Sequence, residues 1–213
     1  MSDATAFEKA IAARDSQSAI RMTTADPQLL TVQVSGGLTP IAAAAYAGAW
    51  DLVRWFAELG GIANVTDAIF ADDDEAGSLL DLHPDQVNAY TNDGFTPLHV
   101  AAYFGRNAAA IDLISRGADV NAVSRNELKN TPLHAAIAGS ASEAVVEMIV
   151  ERGADIHSGD PPALHLAAAN GRAETIRFLR ERGASSSVRC KDGKTAADLA
   201  IEAGHSEVVD LLK

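Results

Sequence analysis

Apolar residues along this chain fall in short clusters, each about two helical turns long and separated by glycine. Leu98, Ala101 and Ala102 lie at helical spacing on one face, and Gly105 ends the run. A second cluster follows at Ala110, Ile111, Leu113 and Ile114, and Gly117 closes it at the position just past a helix's last turn. Ahead of the first cluster, Thr96-Pro97 is a start signal. Threonine offers an N-cap, and proline fits the first helical position, where its missing N–H costs nothing. Helices this short do not hold alone in water, so the pattern predicts helix pairs that stack on copies of themselves. Asn92-Asp93-Gly94 and Lys191-Asp192-Gly193 predict hairpin turns between the pairs.

The copies are visible. Thr96-Pro97-Leu98-His99-Val100-Ala101-Ala102 is followed by Thr131-Pro132-Leu133-His134-Ala135-Ala136, then by Ala163-Leu164-His165-Leu166-Ala167-Ala168, then by Thr195-Ala196-Ala197-Asp198-Leu199-Ala200. Upstream, Thr39-Pro40-Ile41-Ala42-Ala43-Ala44 occupies the same slot. A second signature closes the units at Arg116-Gly117-Ala118-Asp119-Val120-Asn121-Ala122, Arg152-Gly153-Ala154-Asp155-Ile156 and Arg182-Gly183-Ala184. Two linked motifs in register over several copies resemble the ankyrin repeat, whose T-P-L-H-x-A pattern recurs about every 33 residues. The resemblance covers essentially the whole chain. It implies an all-α solenoid, an ankyrin-repeat stack of helix-turn-helix units with β-hairpin or turn fingers.

Spacing between copies exposes irregularities. His99 to His134 is 35 residues, which predicts extra hairpin residues around Ser124 and Arg125. His134 to His165 is 31, which predicts a clipped hairpin near Gly159-Asp160-Pro161-Pro162 and one extra residue near Gly139 to Ser142. Ala42 to His99 spans 57, roughly 24 beyond one period. The chain therefore divides, within a single repeat domain over 1–213, into a degenerate N-terminal cap (4–34), a repeat (35–65) and an acidic insertion leading into a hairpin (66–91). Repeats at 92–125, 126–159 and 160–190 follow, with a truncated C-terminal cap at 191–213. Trp50 and Trp55 are expected in the core beside Leu52, Val53 and Phe56.

Composition fits a closely packed helical stack: hydrophobic residues make up 47% but aromatics only 5%. Charge removes whole classes of partner. The net charge of -12 opposes the phosphate neutralisation that drives nucleic-acid binding, and disfavours an anionic membrane. A single cysteine, Cys190, excludes an intrachain disulfide framework, and Met1 to Ala13 carry no basic start and no apolar signal core. No apolar stretch approaches the roughly 20 residues needed to span a bilayer, and with these features a reducing cytoplasm is the expected address; a monomer is expected.

Candidate chemistry is sparse, and no metal, cofactor or catalytic set is expected. His99, His134 and His165 occupy equivalent slots on successive repeats, where helices pack roughly 8–10 Å apart. Zinc needs its nitrogens at about 2 Å, so the three are expected to bridge to neighbouring hairpin backbone instead, as the resemblance implies. Asp72-Asp73-Asp74-Glu75 lacks the alternating calcium loop and is expected as a solvated acidic loop. Cys190 has no positioned base, and Ser185-Ser186-Ser187 predicts an altered turn. Asn121 is expected to cap its turn, as the resemblance implies. The alternative is a target of asparagine modification.

What remains is surface. The resemblance implies binding along hairpin tips and exposed first-helix faces, which here places Tyr46, Tyr90, Asn92, Asp93, Phe95, Tyr103 and Phe104 toward a partner protein. Tyrosine and phenylalanine bury much area at little entropy cost, and Asp93 with the acidic segment supplies a negative rim for a partner with a basic edge. The expected function is a non-catalytic protein-interaction module. The alternatives are a regulatory or inhibitory subunit of an enzyme, or an enzyme itself.

Overall fold

A computed structural model describes residues 3–71 and 75–213, with the backbone alone at Glu75. Asp72 to Asp74, central to the expected acidic loop, lie outside the described residues. The chain separates into two compact units, Met1–Pro97 and Leu98–Lys213. Each is a stack of short helices joined by turns, and no strand forms among the described residues.

The first unit contains α1 (Asp3–Ala12), α2 (Ser16–Ala25), α3 (Pro40–Ala47), α4 (Trp50–Glu58), α5 (Val65–Ala71) and α6 (Glu75–Leu82), with 3-10 turns at Pro27–Thr31 and Pro84–Asn88. α1 packs on α3 and α3 on α5, while α2 packs on α4. Phe7 of α1 and Phe56 of α4 meet edge to face at 5.6 Å and are fully buried. Thr39 caps α3 as its sequence predicts, accepting from the Ala42 N–H at 3.1 Å, with Pro40 in the first turn.

Two expectations change here. Trp50 is not core: at the first position of α4 it is 40% exposed, because Leu52, Val53 and Phe56 define the buried face and Trp50 lies off it. Trp55 is half-buried and donates through Nε1 to Thr23 Oγ1 at 3.2 Å. The second change concerns 66–91, expected as an acidic insertion. It is largely helical, with Ala68, Ile69 and Phe70 of α5 and Ala76 and Leu80 of α6 buried. Its carboxylates catch the eye, but its apolar residues at helical spacing decide the packing.

The second unit takes in most of α7 (Pro97–Tyr103) and then α8 (Asn107–Ser115), α9 (Pro132–Ala138), α10 (Glu143–Glu151), α11 (Ala163–Ala169), α12 (Ala173–Glu181) and α13 (Ala196–Glu202), closing with a 3-10 segment at Ser206–Leu212. First helices stack on first helices (α9, α11, α13) and second on second (α8, α10, α12). α7 and α9 come so close that a Cβ on Gly139 would stand 2.1 Å from the Tyr103 carbonyl oxygen. Ser140 N donates to that oxygen at 2.9 Å.

Ties between repeats use the residues that the motifs supply. His99 Nε2 donates to the Asn130 carbonyl at 3.1 Å, and His165 Nε2 donates to the Val188 carbonyl at 3.0 Å. His134 Nδ1 accepts from Thr131 in a capping box, while its Nε2 faces the backbone of the next turn at Ser158 to Pro161. Burial holds His99 down to about 4, so the ring is neutral at physiological pH. Asn121 uses both ends of its amide, donating to the Gly153 carbonyl and accepting from Asp155 N–H, each at 2.9 Å. Ser185 and Ser187 hydroxyls meet at 2.9 Å in the altered turn. The residues around Ser124 do form a longer loop, in which buried Ser124 bonds Asn130 through both its backbone and its hydroxyl.

Arg172 is a tie that no motif announces. Its Nη1 donates to the Ala136 carbonyl at 2.7 Å, its Nη2 to the Ala141 carbonyl at 3.0 Å and to Glu143 Oε1 at 2.7 Å. Thr175 fills the other Glu143 oxygen. Arg172 is 15% exposed and Glu143 38%, so solvent weakens the ion pair but not the carbonyl bonds. Arg172→Ala is expected to destabilise the protein by about 2 kcal/mol. Arg172→Lys should recover only part of this, since an ammonium cannot reproduce the planar fork. Urea unfolding of the three proteins checks the order; a lysine variant equal to wild type would show that charge alone matters.

Candidate partner-binding site

The site in the first unit is built on one tight turn. Thr91 N–H donates to the Phe95 carbonyl at 2.8 Å and Gly94 N–H to the Thr91 carbonyl at 2.9 Å, which projects Asn92 and Asp93 at the tip. Asn92 Nδ2 donates to the Gly37 carbonyl at 2.6 Å, fastening this tip to the preceding turn. Asp93 accepts from the Thr91 hydroxyl and, through Oδ2, from the Tyr46 hydroxyl at 2.6 Å. Tyr46 lies on α3, 41% exposed, with its ring edge-on to Phe70 of α5 at 5.6 Å.

Tyr46, Tyr90, Asn92 and Asp93 therefore line a single cleft of about 200 Å³. Phe95 is half-buried and does not line it. Tyr103 and Phe104 belong to the second unit, where Tyr103 is 48% exposed and the two rings meet edge to face at 5.2 Å.

Asp67 also lines the cleft, and its sequence placed it only within the acidic 66–91 segment. It is 1% exposed. Thr39 Oγ1 donates to its Oδ1 at 2.5 Å, while Ala63 N–H and Asn64 Nδ2 donate to its Oδ2, each at 3.1 Å. Asn64 returns the bond, accepting from Asp67 N–H at 3.0 Å, so the pair starts α5. Burial pushes the Asp67 carboxyl up to about 6, against the lowering effect of the Thr39 and Ala63 bonds. The Asn64-x-x-Asp67 spacing was the available signal, a reciprocal cap ahead of an apolar run.

Among the described residues no three His, Cys, Asp or Glu side chains gather as a metal-binding group, and no helix is long and apolar enough to cross a membrane. Cys190 is a partly exposed free thiol in the turn closed by Lys194, where Cys190 N–H donates to the Lys194 carbonyl at 2.9 Å.

Comparison with known proteins follows the same lines. The family model described as ankyrin repeats in three copies matches residues 10–124, 67–160 and 158–213. The chain is 34% identical over 117 residues to the transient receptor potential cation channel subfamily A member 1 homolog of Caenorhabditis elegans, covering 54% of this chain and 9% of that protein. It is 36% identical over 73 residues to E3 ubiquitin-protein ligase hecd-1 of the same organism, covering 32% of this chain and 3% of that one. The matches thus span under a tenth of the length of the channel and ligase relatives. With cyclin-dependent kinase 4 inhibitor B of Rattus norvegicus the identity is 34% over 119 residues, covering 54% of this chain and 88% of the relative. Family matches along nearly the whole sequence, together with a relative matched over most of its own length, make this chain a member of the ankyrin-repeat family.

Proposed function

We propose that this chain is a non-catalytic protein-interaction module that grips a partner protein along its turn tips and first-helix faces. Tyr46, Tyr90, Asn92, Asp93, Phe95, Tyr103 and Phe104 supply the contacts, and the partner brings a basic edge. The observation that carries this reading is the Tyr103–Phe104 pair, an edge-to-face aromatic step with nearly half of Tyr103 in solvent, in a chain whose aromatics are only 5%. Aromatic anchors of this kind dominate binding energy at interfaces.

The test is affinity capture from native cells with mass spectrometry, followed by purified binding. Tyr103→Ala with Phe104→Ala should weaken partner binding at least about a hundredfold, as for loss of two hot-spot residues, with helical circular dichroism unchanged. Undiminished binding by a folded double variant would remove these residues from the interface.

A second reading is favoured by one relative's name. Cyclin-dependent kinase 4 inhibitor B is by that name an enzyme inhibitor, and the match covers most of its length. Under this reading the captured partner is itself an enzyme and loses activity when this chain is added.

A further inference from the structure

We infer that the cleft beneath the Tyr90–Asp93 turn receives an arginine side chain of the partner protein, its guanidinium held between the aromatic rings and the two carboxylates. The inference rests on the interaction reading above and assigns that surface a specific anchor.

Size comes first. About 200 Å³ falls below the roughly 300–1,000 Å³ of sites for drug-sized ligands, and suits one side chain. The walls then set the chemistry. Tyr46 and Tyr90 offer ring surface, with buried Phe70 packed behind Tyr46, while Asp67 at the floor and Asp93 at the rim offer carboxylate oxygens. The lining includes no Lys, Arg or His among the described residues. Guanidinium stacks on rings and pairs with carboxylates in one plane, which an ammonium cannot do.

Asp67 supplies an independent indication. Its hydrogen bonds come from Thr39, Ala63 and Asn64, all neutral donors, so the chain buries a carboxylate without matching its charge. A carboxylate has about four acceptor positions, and these donors fill three. A buried charge without a counter-charge is costly, and a cation delivered from outside relieves that cost. Sequence around the cleft is suited to attract one. Along the chain from Trp55 to Pro97 there is no Lys or Arg, while Glu58, Asp67, Asp81, Asp85 and Asp93 among the described residues are acidic. Such a one-sign stretch draws a cationic group toward it.

The test uses the full chain, isotope-labelled, titrated by NMR with the blocked tripeptide acetyl-Gly-Arg-Gly-amide. The neutral control is the same peptide with citrulline, which keeps the shape of arginine but not its charge. Saturable shifts at the amides of Asn64, Asp67, Tyr90 and Asp93 with arginine, and none with citrulline, are expected. A lysine peptide should bind several-fold more weakly. Asp93→Asn keeps one oxygen for the Tyr46 hydroxyl and offers its Nδ2 to the Thr91 oxygen, whose own proton can go to the Phe95 carbonyl, and it should weaken arginine binding about tenfold or more. Equal shifts with citrulline, unsaturable shifts spread over the acidic surface, lysine equal to arginine, or an unaffected Asp93→Asn would each overturn the assignment. The citrulline comparison needs no variant to fold. Because no partner is involved, a failed titration leaves the Tyr103–Phe104 interface standing, and a failed interface leaves the titration to be judged alone.

Discussion

Gly139→Ala is expected to destabilise the protein by about 4 kcal/mol, because the added methyl meets backbone. A Cβ there would stand 2.1 Å from the Tyr103 carbonyl oxygen and 2.5 Å from its Cα. Both are backbone atoms, so no side chain can swing aside, and α9 must retreat from α7. Overpacking a tight contact costs about 1–3 kcal/mol, and the Ser140-to-Tyr103 hydrogen bond adds about 1 when it breaks. At roughly 2–4 °C per kcal/mol for a chain of this size, the midpoint should fall by about 8–16 °C. Gly117→Ala is the control. It has φ +89° but nothing within 4 Å of an added methyl, so only the backbone preference is lost, about 1–2 kcal/mol. If the two substitutions lower the melting midpoint equally, the close approach of α7 and α9 is not what Gly139 serves.

Asp67 should make the protein less stable as pH rises, the reverse of an ordinary surface carboxylate. Its folded pKa of about 6 lies above the unfolded value of 3.8. Between these values the folded chain keeps a proton that the unfolded chain has released. Unfolding therefore gains on folding with each unit of pH. Stability from this group is complete below about pH 4 and lost as pH passes through about 6, a change of about 3 kcal/mol. Asp15, Asp51, Asp198 and Asp210 pull the other way, their carboxyls held low chiefly by hydrogen bonds to nearby Ser, Thr and Lys side chains or backbone. The clean measurement is a difference. Urea unfolding of wild type and Asp67→Asn from pH 4 to 8 should show the variant gaining about 3 kcal/mol on wild type as pH rises. Parallel curves would mean that the Asp67 carboxylate is not desolvated as its surroundings indicate.

The fold was legible wherever its determinants are local. Thr39, Thr131 and Thr195 cap their helices because the residue that caps and the amide it serves lie three apart. His99 and His165 reach across to backbone because their slot recurs with the repeat. The segment from 66 to 91 was harder, since Asp67 lies 25 residues after Ala42 and 32 before His99. The 32-residue step is close to one period, but Asn64-Val65-Thr66-Asp67 stands there in place of Thr-Pro-Leu-His, and a run of carboxylates then suggests solvent. Of the proposed contact residues, Tyr46, Tyr90, Asn92 and Asp93 converge on one cleft, but their mutual hydrogen bonds were not foreseeable. Asn92 meets Gly37 across 55 residues and Tyr46 meets Asp93 across 47. Arg172 was invisible for the same reason: its carbonyl acceptors lie 36 and 31 residues away, and nothing in its own neighbourhood marks it. Trp50 shows the limit of a local rule, because one helical step decides whether an indole faces the core or water.

The bond from Asn92 to Gly37 carries a kinetic corollary. A loop apex that is already clamped arrives at an encounter with its shape decided, so little freedom remains to be surrendered on contact. Association should then be paced by diffusion and by the long-range pull of the surrounding negative charge, and lifetime by how well the visitor fits.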